Sequence, residues 1–148
     1  MSEHRPVTRE QTLHVYERCL CLHVQRAARA LARRFDDAFR PLGITSGQFS
    51  LMMALNVPEP PAMGVVAERL AMDRTTLTAA LKPLERRKLV RVRPDPRDRR
   101  RRVLRLTPSG QRLLTEALPL WKRAHAQVDE LLAEGEPEQV RSHLRALL

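Results

Sequence analysis

The residues best suited to chemistry in this chain are cations, and they are gathered in one place. From Arg86 to Arg105 there are eleven Lys or Arg and two Asp, a net of +9, against +10 for all 148 residues. Like charges at that density repel unless a counter-anion covers them, and nucleic acid is the commonest polyanionic partner. Leading into the run, Thr75, Thr76, Thr78, Lys82 and its first residue Arg86 fall on one side or the flanks of a helical pattern. Small hydroxylated side chains allow close approach to base edges, and the cations after them suit phosphates. The other reactive group is Cys19-Leu-Cys21-Leu-His23. Read as helix, Cys19 and His23 share a face and Cys21 points elsewhere, so the three cannot ligate one metal, and no metal site is expected. Helical neighbours also miss disulfide geometry, and free cysteines most often pack as small buried residues. No phosphate loop, Gly-x-Ser-x-Gly or His-Glu-x-x-His is present. Asp36-Asp37 and Asp129-Glu130 read as solvated helix faces. The chain is therefore read as not an enzyme, with no cofactor.

These residues need elements to position them. Asp73 is a good N-cap for a helix whose apolar face is Leu77, Ala80, Leu81, Leu84 and the stem of Lys88. Pro83 inside it predicts a kink, and Lys88 stands where a helix often ends in Gly. Leu89–Arg93 alternates as a half-exposed strand, Pro94-Asp-Pro96 breaks it, and Val103–Leu106 returns. Thr107-Pro108 then opens another helix. A helix followed at once by a basic hairpin is the layout of a winged helix-turn-helix. Its helix would enter a major groove of double-stranded DNA, and its hairpin would reach phosphates or a minor groove.

Upstream, Gly64–Met72 reads as the first helix of the helix-turn-helix, with Val66, Ala67 and Leu70 inward and Ala71-Met-Asp73 as the turn. Pro58-Glu-Pro-Pro61 reads as a stiff connector. Capping boxes at Thr8–Gln11 and Thr45–Gln48 start two more helices. The first is predicted to run unbroken to about Phe39, roughly 30 residues or about 45 Å. Pro108 to about Ala133 predicts another long helix, bent at Pro119, and Pro137 starts a last one.

The fold class is mainly α with a small β-hairpin wing. Residues 1–44 form an N-terminal dimerisation helix, 45–107 the winged domain, and 108–148 C-terminal dimerisation helices. The terminal helices carry more apolar residues than one winged domain can cover, which predicts a homodimer. Two recognition helices would then read half-sites of a near-palindromic operator. No apolar run approaches a membrane span of about 20 residues, and MSEHRPVTREQ lacks the apolar core of a signal peptide, so the expected location is cytoplasmic.

DPRDRRRRVLRLTPSG resembles the wing signature of the MarR-type transcription regulators, and MDRTTLTAALKPLERRKLV resembles their recognition helix, within a match from about Leu20 to Gly110. By that resemblance Asp98 and Arg100 are the family's Asp-x-Arg wing pair. Arg100 is then the minor-groove arginine, held by a salt bridge from Asp73, and Arg97, Arg99, Arg101 and Arg102 are phosphate contacts. The resemblance also implies dimerisation through the first and the last two helices.

Leu20-Cys21-Leu22 with Arg29-Ala30-Leu31 is similar to the sensor helix of the organic-hydroperoxide (OhrR-type) branch, which implies Cys21 as an oxidisable thiol. That branch carries tyrosines bonded to the thiolate. Here the matching segment is Ser46-Gly-Gln-Phe49, and Tyr16 is the single tyrosine. The other effector the family implies is a small aromatic ligand in the cleft between the dimer helices and the winged domain, with His23, Phe49, Met52 and Trp121 as candidate lining. A repressor released by such an effector is the leading reading. A nonspecific architectural nucleic-acid binder and, less favoured, a thiol-dependent peroxidase are the rivals.

Overall fold

Two helices stand where one was predicted. The computed structural model describes residues 5–148, so the first four residues of the predicted N-terminal segment lie outside the described part. α1 (Arg9–Arg18) starts at a complete capping box, with Thr8 and Gln11 bonded reciprocally. α2 (Leu20–Phe39) follows after a single residue. That residue, Cys19, is extended (φ −67°, ψ 104°). Its N–H bonds to Val15 O and closes α1, while its Sγ accepts from Leu22 N at 3.5 Å and caps α2. The thiol does the work of a hydroxylated cap, so the chain bends with no Pro or Gly present.

α2 ends in a short 3-10 turn, Arg40–Leu42, and Gly43 takes the left-handed conformation (φ 64°) that glycine adopts at no steric cost. α3 (Ser46–Ala54) begins at the predicted capping box of Thr45 and Gln48. α4 (Met63–Arg69) and α5 (Arg74–Arg86) form the helix-turn-helix. Strands β1 (Val90–Pro94) and β2 (Arg102–Leu106) pair antiparallel, with Val90 opposite Leu106 and Val92 opposite Leu104. α6 (Pro108–Leu131) and α7 (Pro137–Arg145) complete the chain.

The Pro58–Pro61 connector does more than space two helices. Leu104 N donates to Pro61 O at 2.9 Å, and Ala62 bridges to Val103, so the connector ends as a third, minimal strand beside β2. The predicted kinks do not interrupt the helices: α5 continues through Pro83 and α6 through Pro119. In α5 the buried Leu77, Leu81 and Leu84 pin the helix on both sides of the proline. Lys88 is not on the apolar face. It follows the end of α5 in a left-handed conformation (φ 57°) and is exposed.

One core serves the winged region. Phe39, Leu51, Met52, Val66, Leu77, Leu81, Leu84 and Leu104 are fully enclosed, drawn from α2, α3, α4, α5 and the hairpin. Burying each such side chain is worth about 1.5–3 kcal/mol. α6 is joined to this core at its first turn. The buried Thr107 hydroxyl donates to Lys88 O at 2.7 Å and accepts from Gly110 N at 3.0 Å. Gly110 is close-packed there: a Cβ on it would lie 2.2 Å from Leu89 O. The end of the recognition helix, the start of the wing and the start of α6 are thus locked together.

Candidate nucleic-acid interface

α5 is amphipathic in the sense its position requires. Leu77, Leu81 and Leu84 anchor it, while Thr75, Thr76, Thr78, Lys82 and Arg86 are all exposed. Asp73 Oδ1 accepts from Thr76 N at 2.7 Å, the N-cap bond expected of it. The Thr76 backbone N–H, and then its hydroxyl, hold the Asp73 carboxyl below its ordinary range. Thr78 Oγ1 donates to Arg74 O at 2.8 Å, so this exposed side chain is held in place by its own helix. At the far end Arg87 donates to Gly43 O at 2.7 Å and Leu42 O at 3.2 Å. It ties the recognition helix to the α2–α3 turn, so one arginine of the basic run has an internal role.

The wing tip is folded by its own acids. Asp95 Oδ1 accepts from Arg97 N at 2.9 Å, and Asp98 Oδ1 accepts from Arg100 N at 3.1 Å. Arg101 N donates to Asp98 O, and Asp95 N to Arg101 O. The guanidinium groups of Arg97, Arg99, Arg100, Arg101 and Arg102 are left exposed around this tip. The expected salt bridge from Asp73 or Asp98 to Arg100 is not formed: among the described residues no ion pair joins them. Each carboxylate has a backbone N–H two or three residues away, a partner that needs no long side chain to be ordered. On the hairpin, Arg91 lies directly opposite Arg105 on the outer face, a like-charge pair that a counter-anion would relieve.

Helix and wing meet across a groove of about 430 Å³. Gly64, Arg74, Thr78, Arg100, Arg101 and Arg102 line it. Arg74 was not singled out in the sequence, although its place directly after the N-cap Asp73 could have marked it.

The remaining candidates are not gathered together. Phe49 and Met52 are buried in the core, where Phe49 stacks on Phe39 with ring centroids 4.6 Å apart. Trp121 is half-buried against His125 at 4.7 Å. His23 is exposed on α2 and lines a separate shallow groove with Arg26, Arg29 and Arg33. The four therefore do not line one cleft within the chain, because two of them fill the core instead. Cys21 is exposed, and Gln25 Nε2 donates to its Sγ at 3.3 Å. Tyr16 is covered by the Arg26 guanidinium, 5.5 Å from its ring centre.

Three helices followed by a two-stranded wing, with a minimal third strand between the first and second helices, define a winged helix-turn-helix. The model of the MarR family matches residues 42–101. The transcriptional regulator MosR of M. tuberculosis, solved in complex with DNA, is 36% identical, with 87% of this chain and 92% of that one superposed at a TM-score of 0.80. The transcriptional repressor CouR, solved on a 23-mer DNA duplex, is 25% identical, with coverage of 97% and 99% and a TM-score of 0.79. The transcriptional repressor NicR of Pseudomonas putida is 36% identical over 76 residues, 51% of this chain and 48% of NicR. The chain spans about half the length of such curated relatives. The chain belongs to the MarR family of winged-helix transcription regulators.

Proposed function

We propose that this protein is a dimeric, sequence-specific DNA-binding transcription regulator that acts as a repressor on a near-palindromic operator. The observation that carries the reading is the pairing of two exposed surfaces on one rigid core: the threonine face of α5 and the arginine-rich wing tip. Thr75, Thr76, Thr78 and Lys82 take the major groove, with Arg86 on the flanking phosphates. Arg100 enters the adjacent minor groove, whose narrow A·T form has the strongest negative potential. Arg97, Arg99, Arg101 and Arg102 hold phosphates. The DNA-bound state of MosR and CouR supports the partner class, and the repressor names of CouR and NicR support the sense of regulation.

Dimerisation is supported by the apolar residues that the terminal segments leave exposed, among them Leu13, Leu20, Leu131 and Leu147. Release by an effector, a small aromatic molecule or an oxidant at Cys21, would act by changing how the two protomers meet.

The test is fluorescence anisotropy on a duplex that the protein itself selects from a random pool, competed by unrelated DNA. Arg100→Ala should weaken binding to the selected duplex by about 1–3 kcal/mol, the scale of a good groove contact. Equal competition by unrelated DNA would favour a nonspecific architectural binder instead.

A further inference from the structure

We propose that the groove between α4, the start of α5 and the wing tip seats one DNA backbone phosphate, with Arg74 as its principal cation. This rests on the DNA-binding reading and adds to it a contact at a residue that the charge run does not include. Four arginines line the groove, Arg74, Arg100, Arg101 and Arg102, against a single acidic residue, Glu68. Among the described residues none of the four arginines forms an ion pair. The carboxylate nearest in sequence to Arg74, that of Asp73, is engaged by Thr76 N. A net positive, partly enclosed space of this size asks for an oxyanion, and the planar guanidinium fork is the side chain that binds phosphate through two parallel bonds.

The direction of Arg74 separates this role from base reading. Its guanidinium lies back over α4: Nη2 is 3.1 Å from the position a Cβ on Gly64 would take. It therefore points toward α4, and Gly64 supplies the room for it. A phosphate held there lies on the strand between the segment read by α5 and the segment beneath the wing. It fixes the spacing of the two contacts without reading sequence, as phosphate contacts do.

The experiment measures binding to the selected duplex and to an unrelated duplex of equal length across a range of salt. Arg74→Ala is expected to weaken both by the same factor, to lower the slope of log K against log salt by about 1, and to leave the ratio between them unchanged. Arg74→Lys should recover the slope and only part of the affinity, because it restores the charge without the fork. Single methylphosphonate substitutions along the selected duplex should reveal one position that weakens wild type and does not weaken Arg74→Ala further. An altered ratio at unchanged slope would make Arg74 a base contact and overturn the proposal. So would additive losses at every methylphosphonate position. Wild type that binds neither duplex would instead overturn the DNA-binding reading itself.

Discussion

The winged region and the terminal helices are built to different rules. Between α3 and β2 the apolar residues close on one another, and the most exposed large ones, Val65 at 43% and Met53 at 40%, stand singly. No residue of α1 or α7 is buried, and Leu20 at 60%, Leu131 at 64% and Leu147 at 59% remain open to solvent. The first region thus fixes its own geometry, including the offset between helix and wing. The second leaves apolar surface open to solvent, which the proposed dimerisation would cover. Under the proposed function this divides the labour: the winged unit reads DNA as a rigid body, and an effector adjusts only the distance or angle between two such units.

The largest test of that contrast compares two leucines. Leu81 is 1% exposed in the core under α5, and Leu81→Ala should cost about 2–5 kcal/mol in urea denaturation. Leu144 is 44% exposed on α7, and Leu144→Ala in dilute protein should stay within about 0.5 kcal/mol. The second loss should grow with protein concentration as chains pair, whereas the first should not. Equal losses at low concentration would remove the distinction.

A smaller effect probes one of the two helix exits in the closed region that a non-glycine residue makes with positive φ, Lys88 after α5, the other being Ala71 after α4. Lys88 holds φ 57° while its carbonyl accepts from Thr107, so the conformation is imposed by the junction with α6. A non-glycine residue there costs about 1–2 kcal/mol. Glycine removes that cost and returns about 0.4–1 kcal/mol through the unfolded chain. Lys88→Gly should therefore raise stability by about 0.5–1 kcal/mol in the same denaturation assay. A loss would mean that the lysine stem contributes packing that its exposure does not suggest.

What could be read from the sequence was local. The caps at Thr8, Thr45, Asp73 and Thr107 involve partners three residues away, and each forms. The strain at Lys88 was legible for the same reason. The break at Cys19 was not, because the residue carries no helix-breaking signal and caps through a sulfur. The third strand was hidden because proline reads as a connector, yet Pro61 needs only its carbonyl to pair. Phe49 and Met52 have the spacing of either a core or a pocket wall, and only packing against Phe39 decides for core. The Asp73–Arg100 bridge failed because a nearer backbone N–H took the carboxylate, and Arg74 was overlooked because its role depends on Gly64, ten residues before it.

The smallest expected effect sets the two regions side by side in acid. Each has an exposed carboxylate held below its ordinary range: Asp73 by Thr76 in the winged region, and Glu138 by hydrogen bonds from Arg145 and Arg141 on α7. A carboxylate with a lowered folded value contributes stability that is present above its unfolded value and lost as pH falls through the folded one. For Glu138 that window opens below 4.5, and for Asp73 below 3.8. The structural consequence should differ even where the windows overlap. α5 keeps Leu77, Leu81 and Leu84 in the core after its cap is protonated. α7 has no buried residue; Glu138 pairs with Arg141 and Arg145 inside the helix, and among the described residues the ion pair that ties it to another element is Arg141 with Asp129 on α6. Amide hydrogen exchange followed downward from pH 5 should show protection lost first in α7 and retained in α5. Loss in both at one pH would show that the recognition helix depends on its cap more than on its packing, and the contrast between a self-sufficient region and a dependent one would fail at the helix where it matters most.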